Sequence, residues 1–214
     1  MLQIKTFVFN PFCENTYVVF DETKECVLID PGCSSPFEVE QLSRFIDENE
    51  LKINMIINTH GHIDHIVGNP PMVQKYGAKV AAGAEAKFDF TKAQQQSRLL
   101  GFPSNKVVDV PDIELQEGKI IEVGNSTLEV IATPGHALGS VSLYAELEGL
   151  VFTGDALFCR SIGRTDLPGG NYAELCRNIK EKLFRLPDDT TVYCGHGETT
   201  TIGDERDFNL YVNG

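Results

Sequence analysis

Three of the five histidines in this chain fall within six residues, in Thr59-His60-Gly61-His62-Ile63-Asp64-His65. The segment directly follows Ile53–Asn58, a short and nearly all-apolar run. Such a run reads as a strand covered on both faces. Loops leaving a strand of this kind converge with their neighbours at its carboxyl end. In an extended segment His60 and His62 point to one side and can grip one cation. A turn at the next residues would bring Asp64 and His65 round to the same pocket.

The remaining histidines have matching contexts. His136 lies in Thr133-Pro134-Gly135-His136, after the apolar-rich run Thr127–Ile131. His196 lies in Cys194-Gly195-His196-Gly197, after Thr191–Cys194, and Asp155 follows Phe152-Thr153-Gly154. Glycine beside each ligand allows close backbone approach. A lone histidine is usually a surface or satisfied core residue. Seven candidate ligands at four strand ends, using every histidine present, point instead to a metal site. Imidazole and carboxylate without thiolate suit Zn(II) first, with Fe or Mn as alternatives, and argue against iron–sulfur or copper–thiolate centres.

The rest of the chain interleaves strands and helices, a mixed α and β pattern. Strands are expected around Gln3–Phe9, Thr16–Asp21 and Glu25–Asp30, closing at the turn Asp30-Pro31-Gly32. Ser35-Pro36-Phe37-Glu38 has the form of a capping box, with a helix running to about Asn49. Asn69-Pro70 opens a helix that ends near Gly77, a short strand follows at Lys79–Ala82, and Ala84–Leu100 reads as helical. From Asp112 to Leu157 the pattern is β-rich, with turns at Gly118, Gly124-Asn125 and Glu148-Gly149. Asn171 caps a last clear helix whose Tyr172, Leu175, Ile179 and Leu183 share one face, and a strand at Thr191–Cys194 precedes a short tail.

The 214 residues, 42% hydrophobic and 23% charged, suffice for a core that buries roughly 70% of the unfolded surface. The formal net charge of −13 repels a phosphate backbone, so nucleic acid is not an expected partner. The six cysteines form no C-x-x-C pair and read as free, buried thiols of a reducing compartment. The amino end alternates like a strand rather than a signal peptide, and no apolar run approaches the roughly 18 residues of a membrane span. A cytoplasmic protein without membrane attachment is expected.

The sequence H-x-H-x-D-H, followed by a lone His, a Gly-Asp and a Gly-His, resembles the signature of the metallo-β-lactamase superfamily. The resemblance runs from Asp30-Pro31-Gly32 to His196. It implies an α+β fold, a four-layer αββα sandwich, with residues 1–214 as one domain and a two-metal site at one edge of the β layers. By the same resemblance His60, His62 and His136 would hold one metal and Asp64, His65 and His196 the second, with Asp155 bridging. β-Lactamases usually lack a histidine at the position of His65 and often carry cysteine at that of Asp155, which argues against antibiotic hydrolysis. Flavodiiron proteins place glutamate where this chain has His62.

The full ligand set is similar to that of the glyoxalase II group, the hydroxyacylglutathione hydrolases, and most of all to its short bacterial members. Gly163-Arg164-Thr165-Asp166, with Pro168-Gly169-Gly170, resembles a loop of that group and of persulfide dioxygenases. The chain stops 18 residues after His196, as expected of a member without the glutathione-binding helical region of longer relatives. The implied activity is hydrolysis of a small-molecule thioester such as S-D-lactoylglutathione by a hydroxide made between two divalent ions, Asp155 setting their spacing and Asp64 orienting the hydroxide. The rival is a persulfide dioxygenase with a single iron; lactone and RNA phosphodiester hydrolysis are further alternatives. Arg160 and Arg164 are candidate contacts to a substrate carboxylate, Arg164 alternatively pairing with Asp166. Cys194 reads as a buried strand thiol, and Asp30 as a partner that orients a ligand imidazole. Nothing in the sequence sets the oligomeric state.

Overall fold

The first thirty residues form an antiparallel meander of β1 (Gln3–Phe9), which carries the alternation at the amino end, β2 (Glu14–Phe20) and β3 (Glu25–Ile29) in the computed structural model, which describes residues 1–102 and 111–213. After the Asp30 turn, α1 (Pro36–Glu48) starts at a complete Ser35/Glu38 capping box with proline in its first turn. Then come β4 (Lys52–Asn58), α2 (Ile63–Ile66), α3 (Asn69–Tyr76) and β5 (Lys79–Gly83). The short helices α4 (Lys87–Phe90) and α5 (Ala93–Leu100) lead towards β6 (Ile113–Leu115). A second run of strands follows: β7 (Ile120–Val123), β8 (Ser126–Ala132), β9 (Val141–Ala145) and β10 (Leu150–Gly154), with the small hairpin β11 (Leu157–Phe158) and β12 (Ser161–Ile162). The chain then forms α6 (Tyr172–Glu181), β13 (Thr191–Cys194), β14 (Thr200–Thr201), α7 (Ile202–Phe208) and α8 (Leu210–Asn213).

The strands make two six-stranded sheets, ordered β1-β2-β3-β4-β5-β6 and β14-β13-β10-β9-β8-β7. Successive residues of the inner strands face opposite ways, and both faces are covered. Cys26 and Leu28 pack with Leu42 and Ile46 of α1 and Met72 of α3, whereas Val27 and Ile29 join Ile57, Leu128, Leu143 and Phe152 between the sheets. Val151, Tyr144 and Val192 turn outward onto Leu175 and Ile179 of α6. The layers are therefore helix, sheet, sheet, helix. Burial on both faces accounts for the apolar runs Cys26–Ile29 in β3 and Leu150–Phe152 in β10.

Several expectations are corrected. Ala84–Leu100 is not one helix: it begins with a 3₁₀ turn at Ala84–Ala86 and breaks between α4 and α5. At the break the Thr91 hydroxyl donates to the Phe88 carbonyl (2.8 Å), a local bond that competes with helix continuation. Leu183 lies in a separate 3₁₀ turn beyond α6, and Tyr172 is exposed at its start, its hydroxyl donating to the Tyr211 carbonyl. The short tail folds as β14, α7 and α8, with Thr201 capping α7 by accepting from the Asp204 amide. Of the six free cysteines only Cys26, Cys33 and Cys194 are buried; Cys13 is exposed, and Cys159 and Cys176 are half-buried at surface elements. Among the described residues no helix is long and apolar enough to cross a membrane.

Phe152 is fully buried between the sheets, with ring centroids 5.1 Å from both Tyr17 and Tyr193. Phe152→Ala is expected to cost about 3–5 kcal/mol in urea unfolding, since neither sheet can collapse into the space. A cost below about 1 kcal/mol would contradict this packing.

Candidate metal centre

Strand direction gathers the donors. β10 runs parallel to β13 and antiparallel to β9, which is antiparallel to β8, so β8, β10 and β13 deliver their carboxyl ends to one edge. His136 follows β8, Asp155 follows β10 and His196 follows β13. The loop after β4 meets them there with His60 and His62, and α2 turns Asp64 and His65 in behind. His62 is still extended (φ −68°, ψ 146°) and begins α2, so the change from extended to helical backbone lies inside the motif.

All seven predicted ligands come together, six in two adjacent groups and Asp155 between them. His60, His62 and His136 bring one donor atom each within 4.8 Å of one another, as do Asp64, His65 and His196. In the first group His62 Nδ1 is 3.1 Å from His60 Nε2 and 2.9 Å from His136 Nε2. In the second, His65 Nε2 is 3.2 Å from His196 Nε2, which is 3.4 Å from Asp64 Oδ2. Nitrogens about 2.0–2.1 Å from a shared tetrahedral ion stand roughly 3.3 Å apart, so both groups are close to ligand spacing. Asp155 lies between them, Oδ1 at 3.3 Å from His65 Nε2 and Oδ2 at 3.5 Å from His136 Nε2. Its Oδ1 is buried and makes no well-angled hydrogen bond, an acceptor left free for a cation.

Four imidazoles are aimed by bonds at their far nitrogens. His136 Nδ1 donates to the Arg164 carbonyl (2.7 Å) and His196 Nδ1 to the Phe12 carbonyl (3.0 Å). His65 Nδ1 donates to Asp30 Oδ2 (3.0 Å). The Thr59 hydroxyl donates to Asp30 Oδ2 (2.6 Å), which leaves its oxygen to accept from His60 Nδ1 (3.1 Å). Each arrangement fixes the tautomer with Nε2 facing inward. Asp30 can also be grouped with His60 and His65 as a ligand set. Because both hydrogen bonds to its Oδ2 are already made, and Oδ1 accepts from the Thr59 amide (2.7 Å), it supports the imidazoles instead.

The two groups differ in charge. Burial, reinforced by the neighbouring histidines, holds His60 well below the ordinary imidazole range and His62 at about 4, so both are neutral donors at pH 7. Burial works against a charged His65, but the carboxylates of Asp155, Asp64 and Asp30 outweigh it and hold its pKa well above the usual value. His196 is raised in the same way, against burial, by its bond to Asp64 and the charge of Asp155. The same attraction keeps Asp155 well below and Asp64 below the carboxylate range despite their burial.

Close approach requires glycine at two places. A Cβ on Gly195 would strike Asp155 Oδ1 and lie 2.9 Å from His65, and one on Gly163 would strike the Asp155 carbonyl and lie 2.8 Å from His136 Nδ1. The cavity above the donors, about 660 Å³, is lined by His62, Asp64, His136, Asp155 and His196 at its floor. Arg164 also reaches this cavity, but its Nε and one terminal nitrogen are bound to Asp166 (2.7 and 2.8 Å). Arg160 does not line it. Placed with φ 58° in the turn between β11 and β12, it donates instead to the Asp204 carbonyl (2.6 Å) and stacks on Phe208, tying the hairpin to α7.

Three contributors carry no motif in the sequence. Phe12, at the tip of the β1–β2 turn, accepts from His196 and lines the cavity. Asn10, in the same turn, donates to the carbonyls of Gly32 and Asp64 (both 3.0 Å). Glu14 is buried beneath, its carboxyl pushed well above the usual range by burial. Asn10-Pro11 signals a turn, but no local pattern says what that turn touches.

Asp30→Asn is expected to lower metal affinity by about 10–100-fold with the fold retained, measured by competition against a chelating dye. Unchanged affinity would contradict its orienting role. Cation uptake by the Asp64/His65/His196 group is expected to release roughly one to two protons, because a metal ligand must be deprotonated and both histidines hold their protons to higher pH. Calorimetry in buffers of different ionisation enthalpy reads the release, and affinity for this group should fall first as pH falls. Equal pH dependence for both groups would contradict the assignment.

Comparison with known proteins agrees with this geometry. Residues 10–196 match the metallo-β-lactamase superfamily. A relative from Haemophilus influenzae named hydroxyacylglutathione hydrolase GloC is 34% identical over 214 residues, 99% of each chain. The crystal structure of the BLEG-1 B3 metallo-β-lactamase superposes with TM-score 0.88 at 35% identity, covering 99% of this chain and 100% of that one. TTHA1623 in a di-iron-bound form gives TM-score 0.85 at 32% identity over 97% and 99% of the two chains. With its αββα layers and its histidine and aspartate donors at the shared sheet edge, this chain belongs to the metallo-β-lactamase superfamily.

Proposed function

We propose that the chain is a metal-dependent hydrolase of small thioesters, of the glyoxalase II type, working with two divalent ions, Zn(II) first and Fe or Mn as alternatives. The observation that carries this reading is the position of Asp155, which offers one carboxylate oxygen to each of two donor groups. Ions bound there supply Lewis acidity, which lowers the pKa of bound water towards neutrality and polarises an acyl carbonyl.

The chain's own residues do the rest. His60 and His62 enter uncharged, so they present lone pairs without first losing protons. Asp64 Oδ2 lies at the cavity floor within 3.7 Å of His65 and 3.4 Å of His196, where as an ionised acceptor it can orient the attacking water. Asp155 is ionised and cannot donate, so it fixes position and charge. The acyl carbon then gains a C–O bond and loses its C–S bond, the thiol leaving with a proton. No side-chain nucleophile is needed; burial pushes the Cys194 thiol up to about 12, which makes it inert. The name of the Haemophilus relative supports thioester hydrolysis, and the di-iron form of TTHA1623 supports a paired-metal site that iron can fill.

The test is thiol release from S-D-lactoylglutathione by metal-loaded protein, with Asp155→Ala expected to lose more than the about 10–100-fold that removal of a supporting partner costs, together with metal. Normal turnover in that variant would overturn the role of Asp155. Oxygen uptake on glutathione persulfide with one iron per chain would replace this reading with the dioxygenase. Because one structural neighbour is named a B3 metallo-β-lactamase, a β-lactam belongs in the same assay; turnover of it in preference to the thioester would also overturn the proposal.

A further inference from the structure

The walls of the cavity differ in kind from its floor. Above the histidine and aspartate donors stand Phe12, Ile63, Leu99, Leu100, Phe158 and Leu167, from five separate parts of the chain. Two of these leucines are out of place by the usual rule. Leu99 is 77% exposed and Leu100 52% exposed, at the end of α5, yet both face the cavity rather than filling a core. Helix α5 needs neither for its own packing, which it makes through Ala93 and Ser97. Side chains of that size left open beside a pocket gain their burial when a ligand arrives.

The polar inventory points the same way. Among the described lining residues Gln96 contributes a neutral amide, the one lysine or arginine is Arg164, and Asp166 already neutralises that cation with two hydrogen bonds. A glutathione thioester carries two carboxylates and an ammonium group beyond its reacting carbonyl. The described walls offer no unpaired cation to the carboxylates, and moving such charges against apolar side chains without partners is costly. A hydrocarbon chain meets no such cost.

We propose, resting on the thioesterase reading above, that the preferred substrate is a thioester whose acyl group is an unbranched, uncharged hydrocarbon chain, laid along the apolar walls while its carbonyl sits over the metal floor. The reaction is unchanged: water supplies the oxygen of the new carboxylate, the C–S bond breaks, and the thiol leaves with one proton while the other goes to solvent. What the walls add is selection by chain length. Each methylene buried there contributes about 0.8 kcal/mol, a factor of about four in kcat/KM.

The experiment measures kcat/KM of the metal-loaded protein on acetyl, butyryl and hexanoyl thioesters of N-acetylcysteamine, beside S-D-lactoylglutathione. A rise of about two- to fourfold per methylene, with the hexanoyl compound above lactoylglutathione, is expected. Leu99→Ser/Leu100→Ser is expected to flatten that rise, its effect on the hexanoyl compound exceeding that on the acetyl one. A flat or falling series, or lactoylglutathione as the better substrate, overturns the proposal while leaving thioester hydrolysis intact. If no thioester is turned over, the parent reading fails, and calorimetric titration with hexanoate and acetate still decides the pocket: at least tenfold tighter binding of hexanoate supports apolar walls, and equal affinities refute them.

Discussion

A single buried carboxylate, that of Asp30, organises the site. It accepts hydrogen bonds from the Thr59 amide, the Thr59 hydroxyl and His65 Nδ1, and through the hydroxyl it also sets the orientation of His60. The group is 1% exposed, and burying a carboxyl group so deeply is tolerated only because three donors satisfy its oxygens. Its backbone is equally constrained, with φ 50°, a left-handed conformation that aspartate adopts more readily than most residues. The Asp30 amide donates to Ile57 of β4 and its carbonyl accepts from Thr16 of β2. The end of β3 is thus locked to both neighbours at the point where the ligands begin.

From that anchor the rest of the centre follows as electrostatic balance. Five imidazoles and two carboxylates crowd one sheet edge, and bare histidines in contact would repel if all were charged. The structure resolves this by dividing them: His60 and His62 are driven neutral by burial, while His65 and His196 keep protons opposite Asp64 and Asp155. The retained protons occupy the positions where cations would take over the same carboxylates. Backbone carbonyls from Phe12 and Arg164 hold the outer histidines, which makes two surface loops part of the centre.

The donors were legible in the sequence because His60, His62, His136, Asp155 and His196 each sit beside glycine just past an apolar strand, and Asp64 and His65 complete the same short motif, so type, spacing and context agree. The mixed α and β class was legible in the alternation of strand and helix patterns, with continuous apolar runs at Cys26–Ile29 and Leu150–Phe152, whereas the four-layer sandwich came from the family resemblance. Arg160 and Arg164 look equivalent as sequence, both cations shortly after Asp155. Their separate fates depend on α7 and Asp166, and the α7 contact spans more than forty residues. Phe12 and Asn10 were invisible for the same cause: the β1–β2 turn meets the His196 and Asp64 segments only after the sheets pair. The break between α4 and α5 was hidden by a thin apolar stripe that does not distinguish one helix from two.

Above all, the account requires that donors from both sheets act as two cation sites sharing Asp155. The most direct test is metal titration of the intact chain followed by native mass spectrometry. Two divalent ions bound per chain are predicted. Saturation at one ion, or failure to retain any, would contradict the shared-carboxylate arrangement.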